Sequence, residues 1–305
     1  MRRLLASELL RFRSRRLVVV LLVGALVGAG VGLVIAAFQS TPPTDAELAA
    51  ARARADQEVA NCLVSDWEGV AIEGSLEDFC RANFGDASRY MRSHLKLSDL
   101  PKVIEGISSI TSILGLIVGA SIVAASWQTG TISTILTWEP RRLKWFAARI
   151  VVILLGVFAM TLAIVAFLSA GFAVVASLRG STAGIDSDWW TDVSSTSLRV
   201  SIIAAISAVI GGAVAAVGRH TAAALGVVFV YTAVVEGLIR AFRPLWMSWL
   251  LGDNIVTFLS WRTTEFGTIQ GPVTFTPSHA VLVILGYTAV VLFFGFTFVR
   301  IRDVQ

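Results

Sequence analysis

Residues 127–149 read WQTGTISTILTWEPRRLKWFAAR, a polar interruption between two long apolar runs at 107–125 and 147–178. Gly130 and Thr131 open a short apolar stretch, 132–136, which closes at Glu139 and Pro140 before the basic residues Arg141, Arg142 and Lys144. A turn, a short helix lying parallel to a membrane and a proline-bounded return account for this order. Such an elbow offers apolar side chains to a docking protein and basic ones to lipid headgroups. Each flanking run is long enough for a helix to cross about 30 Å of hydrocarbon.

Outward from the elbow the same pattern repeats. Apolar spans are expected at 17–38, 107–125, 147–178, 200–217, 222–239 and 280–299, joined by polar segments at 39–106, 126–146, 179–199, 218–221 and 240–279 and followed by a tail at 300–305. Of the 305 residues 55% are hydrophobic and 15% charged, and the mean hydropathy is +0.75. Those values exclude a soluble globular domain, and the scarcity of strand-like alternation argues against an outer-membrane barrel. The expected fold class is an all-α membrane protein with six transmembrane helices.

Charge distribution orients it. Arg2, Arg3, Arg11, Arg13, Arg15 and Arg16 precede the first span, whose apolar run is too long for a cleaved signal peptide. With the N-terminus inside, 13 basic residues flank the inner face and 5 the outer face outside the long 39–106 loop. Long loops are exempt from the positive-inside rule, so both termini are expected in the cytoplasm and the protein in the plasma membrane. A net charge of +4 calls for no nucleic-acid partner.

Residues 1–16 place Leu5, Leu9 and Phe12 on one helical face among arginines, as in an interfacial helix or a plain basic tether. The 39–106 loop is expected to be a helical extracellular cap. Thr44 and Glu47 form a capping-box pattern opening a helix from Asp45, Ser75 with Asp78 starts a shorter one, and Ser98 stands before the second span. Cys62 and Cys80, the two cysteines, both lie in this cap, where thiols oxidise. A disulfide is expected, since a two-Cys metal site would lack a nearby His.

Trp189 and Trp190 in 179–199, and Trp246, Trp249 and Trp261 in 240–279, suit the headgroup level. The second segment reads as short helices dipping into the outer interface, re-entrant in character, or as an ordinary aromatic belt. Gly24, Gly28 and Gly32 in the first span, and Gly115 and Gly119 in the second, recur at the small-xxx-small spacing of closely packed helices. They are expected at a helix-packing or dimer interface.

No span carries a charge at its centre, which disfavours an ion-coupled transporter. Glu236, with Arg240 and Arg199 near the same outer end, reads as a structural ion pair in preference to a substrate or gating contact. There is no GxxxxGK[ST], HExxH, CxxC or GxSxG, and His94, His220 and His279 are scattered, so no catalytic residue, metal or cofactor is assigned to this chain. The stripe Ser108, Ser109, Thr111 and Ser112 either lines a pathway or returns its hydroxyls to backbone carbonyls.

At the elbow the sequence resembles type 2 ATP-binding cassette (ABC-2) permeases. Their GT-x-x-x-L-L-x-x-P-x-x-R element is matched by Gly130, Thr131, Ile135, Leu136, Pro140 and Arg142, with Ile135 for the first Leu and one extra residue before the Pro. The LTWEPRR form at 136–142, GRHT at 218–221 and LGDN at 251–254 are similar to an actinobacterial branch. Many members carry an acidic residue just before the element, where this chain has Ser126, Trp127 and Gln128.

The resemblance implies a permease subunit of an ATP-driven exporter, paired with a second permease, usually identical, and with two separate cytoplasmic ATPase subunits that bind ATP and Mg. It implies that the N-terminal helix and Gly130, Thr131, Ile135, Leu136, Glu139, Pro140, Arg141 and Arg142 meet the ATPase, and that spans one and five flank the dimer interface. A hydrophobic or amphipathic substrate, such as a drug, antibiotic or lipid, is the family-level expectation. The alternative is a non-transporting sensor or scaffold whose cap binds an outer ligand.

Overall fold

The computed structural model describes residues 2–40, 44–65, 75–90, 95–130, 141–182 and 185–301. In chain order the helices are α1 (Arg2–Ser14), α2 (Arg16–Gln39), α3 (Asp45–Val64), α4 (Leu76–Phe84), α5 (Leu100–Gly106), α6 (Ser108–Gln128), α7 (Arg142–Arg179), α8 (Ser187–Gly218), α9 (Thr221–Phe242), α10 (Leu251–Ser260) and α11 (Pro277–Ile301). Strands β1 (Thr264–Thr268) and β2 (Gly271–Phe275) form an antiparallel hairpin, pairing Thr264 with Phe275 and Thr268 with Gly271. Among the described residues six helices are long and apolar enough to cross a membrane: α2, the Leu97–Gln128 stretch that includes α5 and α6, α7, α8, α9 and α11. This is a multi-pass membrane protein.

Several helices outrun their apolar stretches. α7 starts at Arg142, and α8 starts at Ser187, where Asp186 caps it by accepting from the Trp189 N–H at 2.7 Å. Hydropathy marks only the part of a helix that matches lipid; caps and hydroxyls carry it on into polar territory. Trp189 and Trp190 therefore sit on α8 rather than in a loop. The 240–279 segment departs further from its expectation, with a 3-10 helix (Pro244–Trp249), α10 and then the hairpin, so the chain is not all-α. Val273 and Phe275 turn inward while Phe266 is exposed, the alternation of a half-buried hairpin too short to stand out among helical periods.

The chain divides into two compact units. The first comprises Met1–Ala29, Leu100–Ser169 and Asp186–Gln305. At its centre α6 lies against α8, backbone to backbone. A Cβ on Gly119 would run into the Ala208 carbonyl, one on Gly115 into that of Ala204, and one on Gly211 into that of Leu116. In lipid, where apolar area gives helices no reason to associate, such close approach and its dispersion contacts hold them together. Thr111 and Ser121 return their hydroxyls to backbone carbonyls three or four residues back, so these polar atoms are satisfied within the helix. α7 adds Ile153, Val157 and Ile164 to this core, and Phe146 meets Phe296 of α11 edge to face at 4.9 Å.

The outer helices are different. The apolar windows of α2, α9 and α11 are 11%, 11% and 17% buried, against 67% for α8. A Cβ on Gly24, Gly28 or Gly32 would meet nothing within 4 Å among the described residues.

The second unit comprises Gly30–Asp99 and Ala170–Ile185. Its α3 opens with the expected capping box, Thr44 accepting from the Glu47 N–H and Glu47 from that of Thr44. Ser75 caps α4 by accepting from the Asp78 N–H and donates its hydroxyl to the Asp78 carboxylate. Ala51, Ala55 and Cys62 form the buried stripe of α3, and the Cys62–Cys80 disulfide joins it to α4 with a Cα–Cα separation of 5.8 Å. Ser98 lies in a 3-10 turn, Leu97–Asp99, which the backbone of Leu97 and Leu95 ties to Ser181. Removing the disulfide as Cys62→Ser/Cys80→Ser is expected to destabilise the α3–α4 unit by about 3 kcal/mol, the chain-entropy value for a closed loop of this size. Faster proteolysis of that unit under reducing conditions is the check, and an unchanged rate would contradict it.

Candidate functional site

α1 begins the site. Its inward face is Leu5, Glu8 and Phe12, at helical spacing, with Phe12 seated against Gly156 of α7. Of the expected face Leu5, Leu9 and Phe12, Leu5 and Phe12 pack against the bundle while Leu9 is 46% exposed, and Glu8, 4% exposed, joins the inward side. Apolar periodicity assigns a carboxylate to the polar side, but here a partner from distant sequence makes its burial favourable.

That partner is Arg149, one of the first residues of α7 and itself buried. Its Nε donates to Glu8 Oε2 at 3.0 Å and its Nη2 to Oε1 at 3.2 Å, the two-pronged guanidinium–carboxylate geometry. Nη1 donates to Ser126 Oγ near the end of α6, and the guanidinium lies over the Trp145 ring at 4.4 Å. Arg11 Nη1 adds a 3.1 Å bond to Glu8 from the exposed side. One buried arginine therefore ties α1, the last turn of α6 and the first turns of α7 together.

The same end of the bundle holds the turn between α8 and α9. α8 stops at Gly218 because Arg219 takes a left-handed backbone (φ 56°), and His220 caps α9 by accepting from the Ala222 N–H at 3.2 Å. The Arg219 guanidinium sits over the Trp127 ring at 4.6 Å. The Trp127 and Trp145 indole N–H groups, both buried, have no hydrogen-bond partner among the described residues. Of the elbow residues, Gly130 ends α6 with φ +66°, a left-handed conformation that glycine enters without the Cβ penalty. Arg141 and Arg142 open α7, while Thr131, Ile135, Leu136, Glu139 and Pro140 lie outside the described residues.

Between α1 and the α6–α7 pair is a crevice of about 320 Å³, lined by Glu8, Arg11, Arg15, Ser126 and Arg149 and by the apolar Ile122 and Ile153. Burial, and next the charge of Arg149, push the Arg15 guanidinium below its ordinary value. Among the described residues there is no group of three or more His, Cys, Asp or Glu side chains suited to a metal.

A second polar cluster lies at the other end of α9. Its middle, Val230–Val235, is a π-helical turn, and Glu236 follows it, buried. Glu236 Oε1 accepts from the Gly252 N–H at 2.9 Å, while Oε2 pairs with Arg240 at 3.0 Å. Tyr231 Oη accepts from the Leu251 N–H at 3.3 Å and donates to Tyr287 Oη at 2.9 Å. Side chains of α9 thus satisfy the first free donors of α10, which has no cap of its own, and a carboxylate there complements the helix dipole. Asp253 joins through Arg240 at 3.0 Å.

The expected trio is corrected in one member. Arg199 hydrogen-bonds Ser195 and Thr196 at 3.0 Å and lies near the Trp261 ring, and among the described residues it makes no ion pair with Glu236. Sequence neighbourhood at a span end does not set azimuth around the helix, and Asp253 in the LGDN stretch supplies the third charge instead. His279 contacts the Ser248 carbonyl at 3.0 Å, and His94 lies outside the described residues.

Compared with known families and with curated proteins, the chain matches no family model and no curated sequence.

Proposed function

We propose that this chain is the membrane-spanning permease subunit of an ATP-driven exporter of the ABC-2 type, working as a dimer with separate cytoplasmic ATPase subunits. The observation that carries the reading is the Glu8–Arg149–Ser126 tie. It makes α1, the end of α6 and the start of α7 one mechanical piece on both flanks of residues 131–140, where the resemblance puts the ATPase contact. Where ABC-2 relatives carry an acid just before the element, this chain has Ser126, and Glu8 brings the carboxylate to that place from α1. A partner that moves the elbow then moves the bases of two spans rather than a loose loop, a transition of the rigid-body kind.

In this reading both termini are cytoplasmic, ATP and Mg belong to the partner, and the unpacked Gly24, Gly28 and Gly32 face of α2 meets a second copy. The substrate is hydrophobic or amphipathic. Charge reversal at Arg141 and Arg142, or Leu136→Asp, is expected to uncouple ATP hydrolysis from transport while leaving the fold intact. The first measurement is mass spectrometry of what copurifies in mild detergent. A soluble ATPase in about equal copy number, lost in those variants, supports the proposal. A protein that purifies alone across nucleotide conditions overturns it in favour of a sensor or scaffold built on the disulfide-closed cap.

A further inference from the structure

The crevice beside α1 carries more positive charge than its own acid balances. Its lining holds three guanidinium groups, Arg11, Arg15 and Arg149, and one carboxylate, Glu8. Both Glu8 oxygens are already engaged, Oε1 by Arg11 and Arg149 and Oε2 by Arg149. Arg15 has no ion pair among the described residues, though it is partly buried and its neighbour Arg149 is a like charge. Three guanidiniums against one carboxylate around a partly desolvated space leave two positive charges that stabilise an anion there, and guanidinium is the side chain best matched to phosphate oxygens.

We infer that this crevice binds a phosphate-bearing anion, with its oxygens held by Arg15 and Arg11 and its charge also balanced by the nearby Arg149. The apolar wall favours an amphipathic source. Phe12, Ile122, Val152 and Ile153 line the crevice. The acyl chain of an acidic phospholipid lies along that surface with its phosphodiester between the arginines, whereas free phosphate uses the polar half alone. The site rests on the multi-pass membrane character of the chain and not on transport, so it stands or falls separately from the exporter reading.

The experiment is native mass spectrometry of the intact protein in detergent, titrated with dioleoyl phosphatidylglycerol and, separately, dioleoyl phosphatidylcholine. Arg11→Gln/Arg15→Gln empties the crevice of two charges. Arg13→Gln/Arg16→Gln removes two from exposed positions outside it and controls for general attraction to the basic segment.

The expected result is one retained phosphatidylglycerol per chain, with its preference over phosphatidylcholine reduced about tenfold or more in the crevice variant, as for lost hydrogen bonds to a charged group. The control pair keeps the preference. Equal losses in the two pairs, or no loss in either, overturn the site. Inorganic phosphate is the second arm: displacement of the bound lipid at millimolar phosphate upholds the anion site and assigns it to free phosphate, and failure to displace assigns it to lipid.

Discussion

Arg149→Met leaves the Glu8 carboxylate buried without its main counter-charge, and it is expected to destabilise the protein by about 3–5 kcal/mol. The size follows from burial: both side chains of the pair are 4% exposed, so water cannot take over when one is removed. Arg11 reaches Glu8 only from the exposed side and replaces little of the lost interaction. The double variant Glu8→Met/Arg149→Met is expected to recover most of that stability, because well-packed apolar side chains often replace a buried pair without net loss.

The two outcomes separate stability from function. If the pair exists to couple α1 to α6 and α7, the double variant folds but fails to transmit movement from the elbow. Denaturation in mixed micelles and limited proteolysis of α1 read the first effect, and the ATPase-to-transport ratio reads the second. A single variant within about 1 kcal/mol of the native protein, with no coupling energy in the double-mutant cycle, would show that the pair does not hold α1.

Gly119→Val is the second large effect, expected to cost about 3 kcal/mol or more, the upper range for overpacking. The added Cβ meets the Ala208 backbone carbonyl, which cannot rotate away as a side chain can, so α6 and α8 must separate. Because this pair is the centre of the first unit, their separation loosens α7 as well. Gly28→Ala makes the contrast: its built Cβ meets nothing within 4 Å, and in the single chain it is expected within about 0.5 kcal/mol of neutral. Thermal unfolding of both in detergent is the check. Comparable losses in the two would mean that the glycine spacing, and not the particular contact, governs packing.

That contrast also marks the limit of a local sequence pattern. Gly24, Gly28 and Gly32 carry the same spacing as Gly115 and Gly119, yet the first set meets no neighbour among the described residues and the second is closed by Ala204 and Ala208. Spacing along one helix says that a backbone can be approached and nothing about which backbone does so. The capping of α3 by Thr44 and the closeness of Cys62 to Cys80 are legible in the sequence because they depend on neighbours within one short polar segment. The burial of Glu8 has no local signal, because the residue that makes it favourable, Arg149, is 141 positions away.

The six spans belonged to the sequence alone, since lipid requires every backbone group to be satisfied inside an apolar helix and hydropathy registers that requirement segment by segment. The hairpin at 264–275 and the meeting of Glu236 with Gly252 did not belong to it. Neither did the buried arginine at the base of α7. Each of these is a match between groups whose local patterns are silent about one another, and only the folded chain, by removing both from water together, makes the match favourable.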